Sequence, residues 1–242
     1  MINKPLSICI LAAGKGTRMN SDIPKVLHNI NGVPLIHFVI KKARSLKPEK
    51  LILIVGYKKD LVKEVVREPY VEFVDQDEQK GTAHAIKQCI NTLYRFNGNT
   101  LVLSGDVPLI TQSTLNKLIQ GHENNGSLAS ILSANINNPS GYGRIIRDHN
   151  NFVKIVEHKD ANSNEQKINE INSGIYIFDT RTLCDKISLI KNDNNQGEYY
   201  LTDIFQHINK DMISVFNTKN IDEINGINTL EQLNNISSKL TK

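Results

Sequence analysis

Leu6-Ser7-Ile8-Cys9-Ile10-Leu11-Ala12-Ala13-Gly14-Lys15-Gly16-Thr17-Arg18-Met19, followed by Pro24-Lys25, decides how the rest of the chain is read. Leu6 to Leu11 is a short apolar run of the kind that forms a buried strand. It opens at Ala12-Ala13-Gly14 into a loop of small residues, where backbone N–H groups can approach a ligand closely. Arg18 and Lys25 add two cations, which makes the loop fit for a polyphosphate. Two common phosphate loops are excluded. No G-x-x-x-x-G-K-[ST] is present, and Met19 stands where a dinucleotide fingerprint needs its third glycine after Gly14 and Gly16.

Outward from this loop, Leu51 to Val55, Val71 to Val74 and Leu101 to Leu103 read as further short strands. Leu35 to Leu46, Asp60 to Arg67 and Thr82 to Tyr94 carry the apolar spacing of helices. The alternation predicts an α/β fold of Rossmann-like type: a mostly parallel mixed sheet with helices on both faces. Ligands then bind beyond the carboxyl ends of the strands. Gly14 and Asp106 both follow a strand, which places them on that rim. Farther along, Ser127 to Ser133, Gly143 to Arg147, Phe152 to Glu157 and Ile175 to Phe178 read as strands. Asn192 to Gly197 reads as a polar loop, and Thr229 to Leu240 as a weak helix. No repeat or shift in composition demands a second domain. The expectation is one domain over 1–242, with a core of about 5–228 and a helical tail over 229–242.

The 242 residues suffice for a sizeable core, and 39% hydrophobic with 22% charged residues suits a soluble globular protein. The net charge of +4 comes from 29 basic and 25 acidic residues with no Lys/Arg block, so nucleic acid is not a favoured partner. Three cysteines, Cys9, Cys89 and Cys184, lie far apart without a C-x-x-C pair, which points to a reducing, cytoplasmic compartment. Seven histidines form no H-E-x-x-H, so no zinc site is expected. Lys4 with Leu6 to Ala13 mimics an export signal, but the apolar stretch is short and Gly14-Lys15-Gly16-Thr17-Arg18 follows directly. Nothing approaches the ~20 apolar residues of a membrane span.

The loop resembles the signature L-A-A-G-x-G-T-R-M…P-K of the sugar nucleotidyltransferases. The resemblance continues through Gln76 with Lys80-Gly81-Thr82-Ala83-His84-Ala85, Leu103-Ser104-Gly105-Asp106-Val107-Pro108-Leu109 and Gly141-Tyr142-Gly143-Arg144-Ile145. Ile155 to Ala161, Glu170-Ile171-Asn172-Ser173-Gly174, Gln196 to Asp203 and Gly226-Ile227-Asn228 extend it. Together these motifs resemble the uridylyltransferase half of the bifunctional bacterial N-acetylglucosamine-1-phosphate uridylyltransferases and glucosamine-1-phosphate acetyltransferases, from about Ile8 to about Asn228. The resemblance implies a GT-A-like nucleotidyltransferase fold, UTP and N-acetylglucosamine-1-phosphate as substrates, and Mg²⁺ as cofactor. Its product would be UDP-N-acetylglucosamine, a precursor of peptidoglycan and lipopolysaccharide.

The resemblance also implies roles. Arg18 and Lys25 would neutralise phosphate charge as the catalytic cations. Arg can fork onto two oxygens, and Lys acts as a movable point charge. Lys15 stays open between ligand and solvent. Leu11, Ala12, Ala13, Gly14, Gln76, Gly81 and Thr82 would bind the nucleotide, with the Gln76 amide matching the edge of uracil. Thr82 also fits a helix cap. Asp106 fits either a Gly-Asp-x-Pro turn or a Mg²⁺ ligand, and the resemblance assigns the metal to Asp106 and Asn228. Ser104, Gly143, Glu157 and Asn172 would bind the sugar phosphate. Tyr199 and Tyr200 are further candidates for the sugar pocket.

Two departures qualify the match. Ser104 stands where many relatives carry Tyr, beside the sugar. No hexapeptide repeat follows Asn228, so no acetyltransferase β-helix, no acetyl transfer and no trimer built on it are expected, and the chain is expected to be a monomer or weak homo-oligomer. The competing readings are a nucleotidyltransferase for another sugar-1-phosphate or another nucleotide, and a nucleotide-sugar-binding domain without turnover. The retained Arg18, Lys25 and Asp106 speak against the latter.

Overall fold

The computed structural model describes residues 4–19 and 21–240. Residues 1–3, Asn20 and 241–242, which include both ends of the expected domain bounds, lie outside the described residues. The chain opens with β1 (Leu6–Ala12), a small hairpin of β2 (Asn29–Ile30) and β3 (Val33–Pro34), and α1 (Leu35–Ser45). β4 (Lys50–Val55), α2 (Lys59–Val65), β5 (Val71–Asp75), α3 (Thr82–Gln88), α4 (Ile90–Leu93) and β6 (Asn99–Ser104) continue the alternation. Then come α5 (Gln112–Asn124), β7 (Ala129–Asn135), the hairpin of β8 (Arg144–Asp148) and β9 (Asn151–Val156), and β10 (Glu170–Asp179). α6 (Thr180–Lys186), β11 (Ile213–Thr218) and α7 (Leu230–Leu240) follow.

The main sheet runs β11-β7-β10-β6-β1-β4-β5. β1 lies parallel between β4 and β6, β5 is parallel to β4, and β11 is parallel to β7. Only β10 runs antiparallel in this path, against both β6 and β7. The β8–β9 hairpin joins through Ile171 opposite Arg144. The expected mostly parallel mixed sheet is therefore present.

Side chains alternate across a strand, so each central strand feeds two cores. Ile8 and Ile10 of β1 and Leu51 and Leu53 of β4 pack with Ile36, Val39 and Ile40 of α1 and Leu115 and Leu118 of α5. Cys9 of β1 and Ile52 and Ile54 of β4 pack on the other face with Ala85 and Ile86 of α3. A third cluster joins Met19, Ile30, Leu35 and Ile227 to Leu233 and Ile236 of α7.

Some elements differ from the sequence reading. The expected helix Thr82 to Tyr94 is broken at Cys89, where the Cys89 N–H bonds back to Ile86 O in a tighter turn. The strand read as Ile175 to Phe178 is the end of the longer β10, whose register shifts between Asn172 and Tyr176 around Gly174 at φ 78°. α5, α6 and β11 have no counterpart in the sequence reading. α5 buries Leu115, Leu118 and His122, packs Ile119 partly against the core and is mostly polar elsewhere, with Thr111 capping it by accepting from the Thr114 N–H at 3.2 Å.

Candidate active site

Leu11 of β1 lies opposite Ser104 of β6, so the loops that follow these strands leave the sheet at the same edge. The Gly105 N–H donates to Leu11 O at 2.9 Å and ties the two loops together. After β1 the chain turns at Gly16, with φ 67°, and a Cβ there would lie 2.6 Å from Lys25 Cβ. Glycine is thus what lets Lys25 pack against the loop. Thr17–Met19 forms one tight turn that presents Arg18, and Lys25–Leu27 forms another after Pro24.

Four residues far apart in sequence meet at this edge. Arg18 Nη2 donates to Asn228 Oδ1 at 2.8 Å, and Lys25 Nζ donates to the same oxygen at 3.0 Å. Lys25 Nζ also pairs with Asp106 Oδ2. The segment carrying Asn228 is held beside Asp106 because the Ile227 N–H donates to Asp106 O at 2.9 Å. A Cβ on Gly226 would come 3.2 Å from Asp106 Oδ2, so the approach is close. The Asp106 carboxylate and the Asn228 amide oxygen converge on one positive centre, the Lys25 ammonium. Two hard oxygen donors with a single carboxylate fit Mg²⁺, which keeps waters and takes further oxygens from substrate phosphates. No group of three or more His, Cys, Asp or Glu that could hold a metal is found among the described residues, so any ion here would rest on this sparse donor set.

A cleft of about 400 Å³ runs from this pole along Leu11 to Gly14 to Gln76, Gly81 and Thr82. Gln76 is only 3% exposed. Its Nε2 bonds Gly81 O and His84 Nδ1, both at 3.0 Å, which leaves the amide oxygen as its only side-chain group for a ligand. The expected pairing of uracil with both ends of the amide thus narrows to the acceptor. Gly81 has φ 110°, and a Cβ would lie 2.5 Å from Tyr199 O. Thr82 does not cap α3. Gly81 occupies the N-cap position without a side-chain bond, and Thr82 Oγ1 instead accepts from the Leu201 N–H at 2.9 Å.

A second cavity of about 210 Å³ adjoins the cleft and shares Leu11, Thr82 and Ser104 with it. It brings together Gly143, Glu157 and Asn172, the residues that the resemblance gives to the sugar phosphate together with Ser104. A Cβ on Gly143 would stand 3.3 Å from Glu157 Oε2, so glycine keeps the backbone close to the carboxylate. Thr202 Oγ1 donates to Glu157 Oε1 at 3.0 Å. Burial pushes the Glu157 carboxyl above the usual range, against the pull of the Thr202 bond. Asn172 is less available than its expected role requires. Its Oδ1 accepts from the Gly174 N–H at 3.2 Å, and its Nδ2 donates to Tyr176 Oη at 2.7 Å. Its side chain therefore holds the bulge of β10 as well as facing the cavity.

Tyr199 and Tyr200 are not among the residues lining this cavity. Tyr199 packs against the core face that contains Cys9, and Tyr200 Oη accepts from Gln196 Nε2 at 2.6 Å beside a neighbouring hollow, which shares Glu157 and Thr202 with this cavity. The cavity also contains residues that the sequence reading leaves without a role, among them Tyr142, Tyr176 and Thr202. Tyr142 and Thr202 lie inside the motifs of the resemblance, and that is the only signal for them. Burial raises the Tyr142 phenol, with the Asp106 charge adding to it, and its Oη lies 3.4 Å from Asn225 Oδ1. Tyr142 thus stands between the sugar cavity and the Asp106 pole. Gln79 and Glu198, also without an assigned role, line the nucleotide cleft.

A parallel-centred α/β sheet whose rim gathers a glycine loop, two cations and a carboxylate defines an enzyme class that handles phosphorylated nucleotides. The nucleotidyl transferase family model matches residues 8–226, and the chain belongs to that family. Members of the family generally use a divalent metal. The chain is 46% identical over 222 residues to the bifunctional protein GlmU of Streptococcus uberis, covering 90% of this chain and 48% of the relative. It is 47% identical to the bifunctional protein GlmU of Staphylococcus saprophyticus, with 90% and 49% covered. The chain therefore spans about half the length of the curated relatives it matches. A UDP-glucose pyrophosphorylase solved with UDP-glucose superposes at a TM-score of 0.78, with 98% of both chains covered and 19% identity. A Bacillus anthracis protein described as a glucose-1-phosphate thymidylyltransferase gives a TM-score of 0.74, covering 96% and 95%, at 19% identity. These two share the fold. Among the described residues no helix is long and apolar enough to cross a membrane.

Proposed function

We propose that this chain transfers UMP from UTP to N-acetylglucosamine-1-phosphate and releases pyrophosphate and UDP-N-acetylglucosamine. The observation that carries the reading is the meeting of Arg18, Lys25, Asp106 and Asn228 at the end of the cleft that Lys25 and Asp106 line, with the cavity of Glu157 adjoining that cleft through Leu11, Thr82 and Ser104. The 46% identity to a GlmU protein and the ordered motifs support the choice of nucleotide and sugar.

A phosphate oxygen of the sugar-1-phosphate attacks the α-phosphorus of UTP. The new P–O bond forms as the bond from the α-phosphorus to the bridging oxygen breaks, and that electron pair leaves with pyrophosphate. The attacking phosphate is already ionised at neutral pH, so no strong general base is required, and the protein's work is positioning and charge neutralisation. Backbone N–H groups of the loop after β1 receive the triphosphate. Arg18 and Lys25 then neutralise its charge, with Lys25 exchanging its bond to Asp106 for one to phosphate. Mg²⁺ held by Asp106 and Asn228 supplies further neutralisation of the phosphates when bound. Glu157 accepts hydrogen bonds from sugar hydroxyls, and the Gly143 backbone fixes how close the ring comes. Ser104 sits where both substrates meet.

The reading includes one nucleotidyltransferase unit with a tail after residue 228 that carries α7, and a cytoplasmic setting, the latter supported by three free cysteines. It is tested by pyrophosphate release across UTP, CTP, GTP, ATP and dTTP, crossed with several sugar-1-phosphates. Turnover is expected with UTP and N-acetylglucosamine-1-phosphate. Turnover with a different pair alone would replace the substrates and keep the chemistry. Binding without turnover on any pair would replace the enzyme by a nucleotide-sugar-binding domain.

A further inference from the structure

The family match ends at residue 226, yet Asn228 and the helix after it are built into the pole of the site. Gln232 Oε1 accepts from two backbone groups at once, the Asn228 N–H at 2.6 Å and the Thr229 N–H at 3.1 Å. The Gln232 N–H in turn donates to Thr229 Oγ1 at 3.2 Å. This reciprocal cap fixes the first turn of α7, and here it also fixes the backbone of the residue whose side chain faces Arg18 and Lys25. The apolar side of the helix works in the same direction. Leu233 and Ile236 pack with Met19 and Ile227, the residues next to Arg18 and Asn228. One helix thus holds both partners of the Arg18–Asn228 hydrogen bond.

We propose that Gln232 is a positioning residue that sets the place of the Asn228 amide oxygen, and that α7 thereby sets the affinity of the site for a divalent cation. The proposal rests on the reading of Asp106 and Asn228 as the metal donors. Removing the Gln232 amide leaves the Asn228 and Thr229 N–H groups without their acceptor. The turn before α7 then loosens, and the Asn228 oxygen samples positions away from Asp106. Groups that orient a metal ligand typically matter by about 10–100-fold in metal affinity. Gln232 is itself exposed, so its replacement spares the core.

The test compares wild type, Gln232→Ala, Gln232→Asn, Gln232→Glu, Asn228→Ala and Asp106→Asn. Mn²⁺ binding is followed by loss of the free-ion EPR signal in the presence of UDP-N-acetylglucosamine. The Mg²⁺ concentration for half-maximal turnover and the melting temperature are measured alongside. Gln232→Ala is expected to weaken Mn²⁺ binding and raise the Mg²⁺ requirement by about tenfold. Turnover at saturating Mg²⁺ should remain near wild type. Gln232→Asn, too short to reach both N–H groups, should behave alike, and Gln232→Glu should restore wild-type metal binding because its carboxylate accepts the same two bonds. Wild-type Mn²⁺ binding by Gln232→Ala, beside weakened binding by Asn228→Ala, overturns the positioning role alone. Unchanged Mn²⁺ binding in both Asn228→Ala and Asp106→Asn overturns the metal reading and this proposal with it.

Discussion

Glu157 lines the smaller cavity, and its half-buried carboxylate accepts a hydrogen bond from Thr202. Burial raises its pKa, and the charges of Asp203, Asp160 and Glu198 add to the shift. A carboxyl whose pKa is higher in the folded than in the unfolded chain stabilises the fold below the unfolded value and loses that contribution as pH rises through the folded value. Ionised Glu157 therefore costs stability at neutral pH, and Glu157→Gln should raise the melting temperature there. Sugar binding has the opposite sign, because the ionised carboxylate is the stronger acceptor for hydroxyls. KM for the sugar phosphate should rise as pH falls, beginning at a higher pH than an ordinary glutamate would give. In Glu157→Gln this pH dependence should vanish, with kcat/KM reduced by about 10–100-fold. A pH-independent KM in the wild type would remove Glu157 from the sugar contacts. Asp106 answers to a different measurement. Asp106→Asn keeps size but removes charge, and loss of one well-placed electrostatic partner typically costs about 10²–10³ in rate. Turnover at saturating Mg²⁺ should fall at least about a hundredfold. Near-normal turnover with a lowered melting temperature would instead make Asp106 a turn residue paired with Lys25.

At the level of elements, legibility follows continuity of the apolar pattern. β1, β4 and β6 carry apolar runs buried on both faces, Leu101 to Leu103 in β6, and the sequence displays those runs directly. β10 is readable only from Ile175 onward, because Asn172, Ser173 and Gly174 sit at its bulge and break the alternation. α5 is hidden by its polar outer face, and β11 by its edge position, where its side chains are mostly half-buried. In the site, Arg18, Lys25 and Asp106 stand out because each lies within a short motif beside a readable strand. Thr202 and Gln232 do not, since what they do depends on where Glu157 and Asn228 arrive in space. Gly81 sits between these cases, where β5 has ended and α3 begins. Its φ of 110° and the 2.5 Å that would separate a Cβ from Tyr199 O leave no room for a side chain, and the obstacle is backbone rather than a movable tip. Gly81→Ala should destabilise by about 2 kcal/mol or more, read as a lower denaturation midpoint. Because Tyr199 leads into Leu201 and Thr202, it should also raise KM for both substrates. An unchanged midpoint would mean that this junction yields easily.

Across the whole molecule, one pH effect on stability is expected far from the site. His122 of α5 is buried, lies 2.9 Å through Nδ1 from Ser130 Oγ, and has its pKa lowered from 6.5 to about 4, chiefly by burial and then by Lys4. A group with a lowered folded pKa gives stability that is present above its unfolded value and is lost as pH falls toward the folded one. The protein should therefore lose stability between about pH 6.5 and about pH 4, and His122→Gln should flatten that slope when melting is followed against pH. An identical slope in the variant would assign the acid sensitivity to other groups. The reversed strand β10 has a consequence in time rather than in space. β6 and β7 are made before β10, which must settle between them, and Asn228 comes later still. Chains emerge from the ribosome amino end first, so Arg18, Lys25 and Asp106 leave it long before the residue that completes their pole. A nascent chain can bury β1 against β4 and β6 before Asn228 exists, and the hydrogen bonds from Arg18 and Lys25 to Asn228 close only after synthesis has passed position 228.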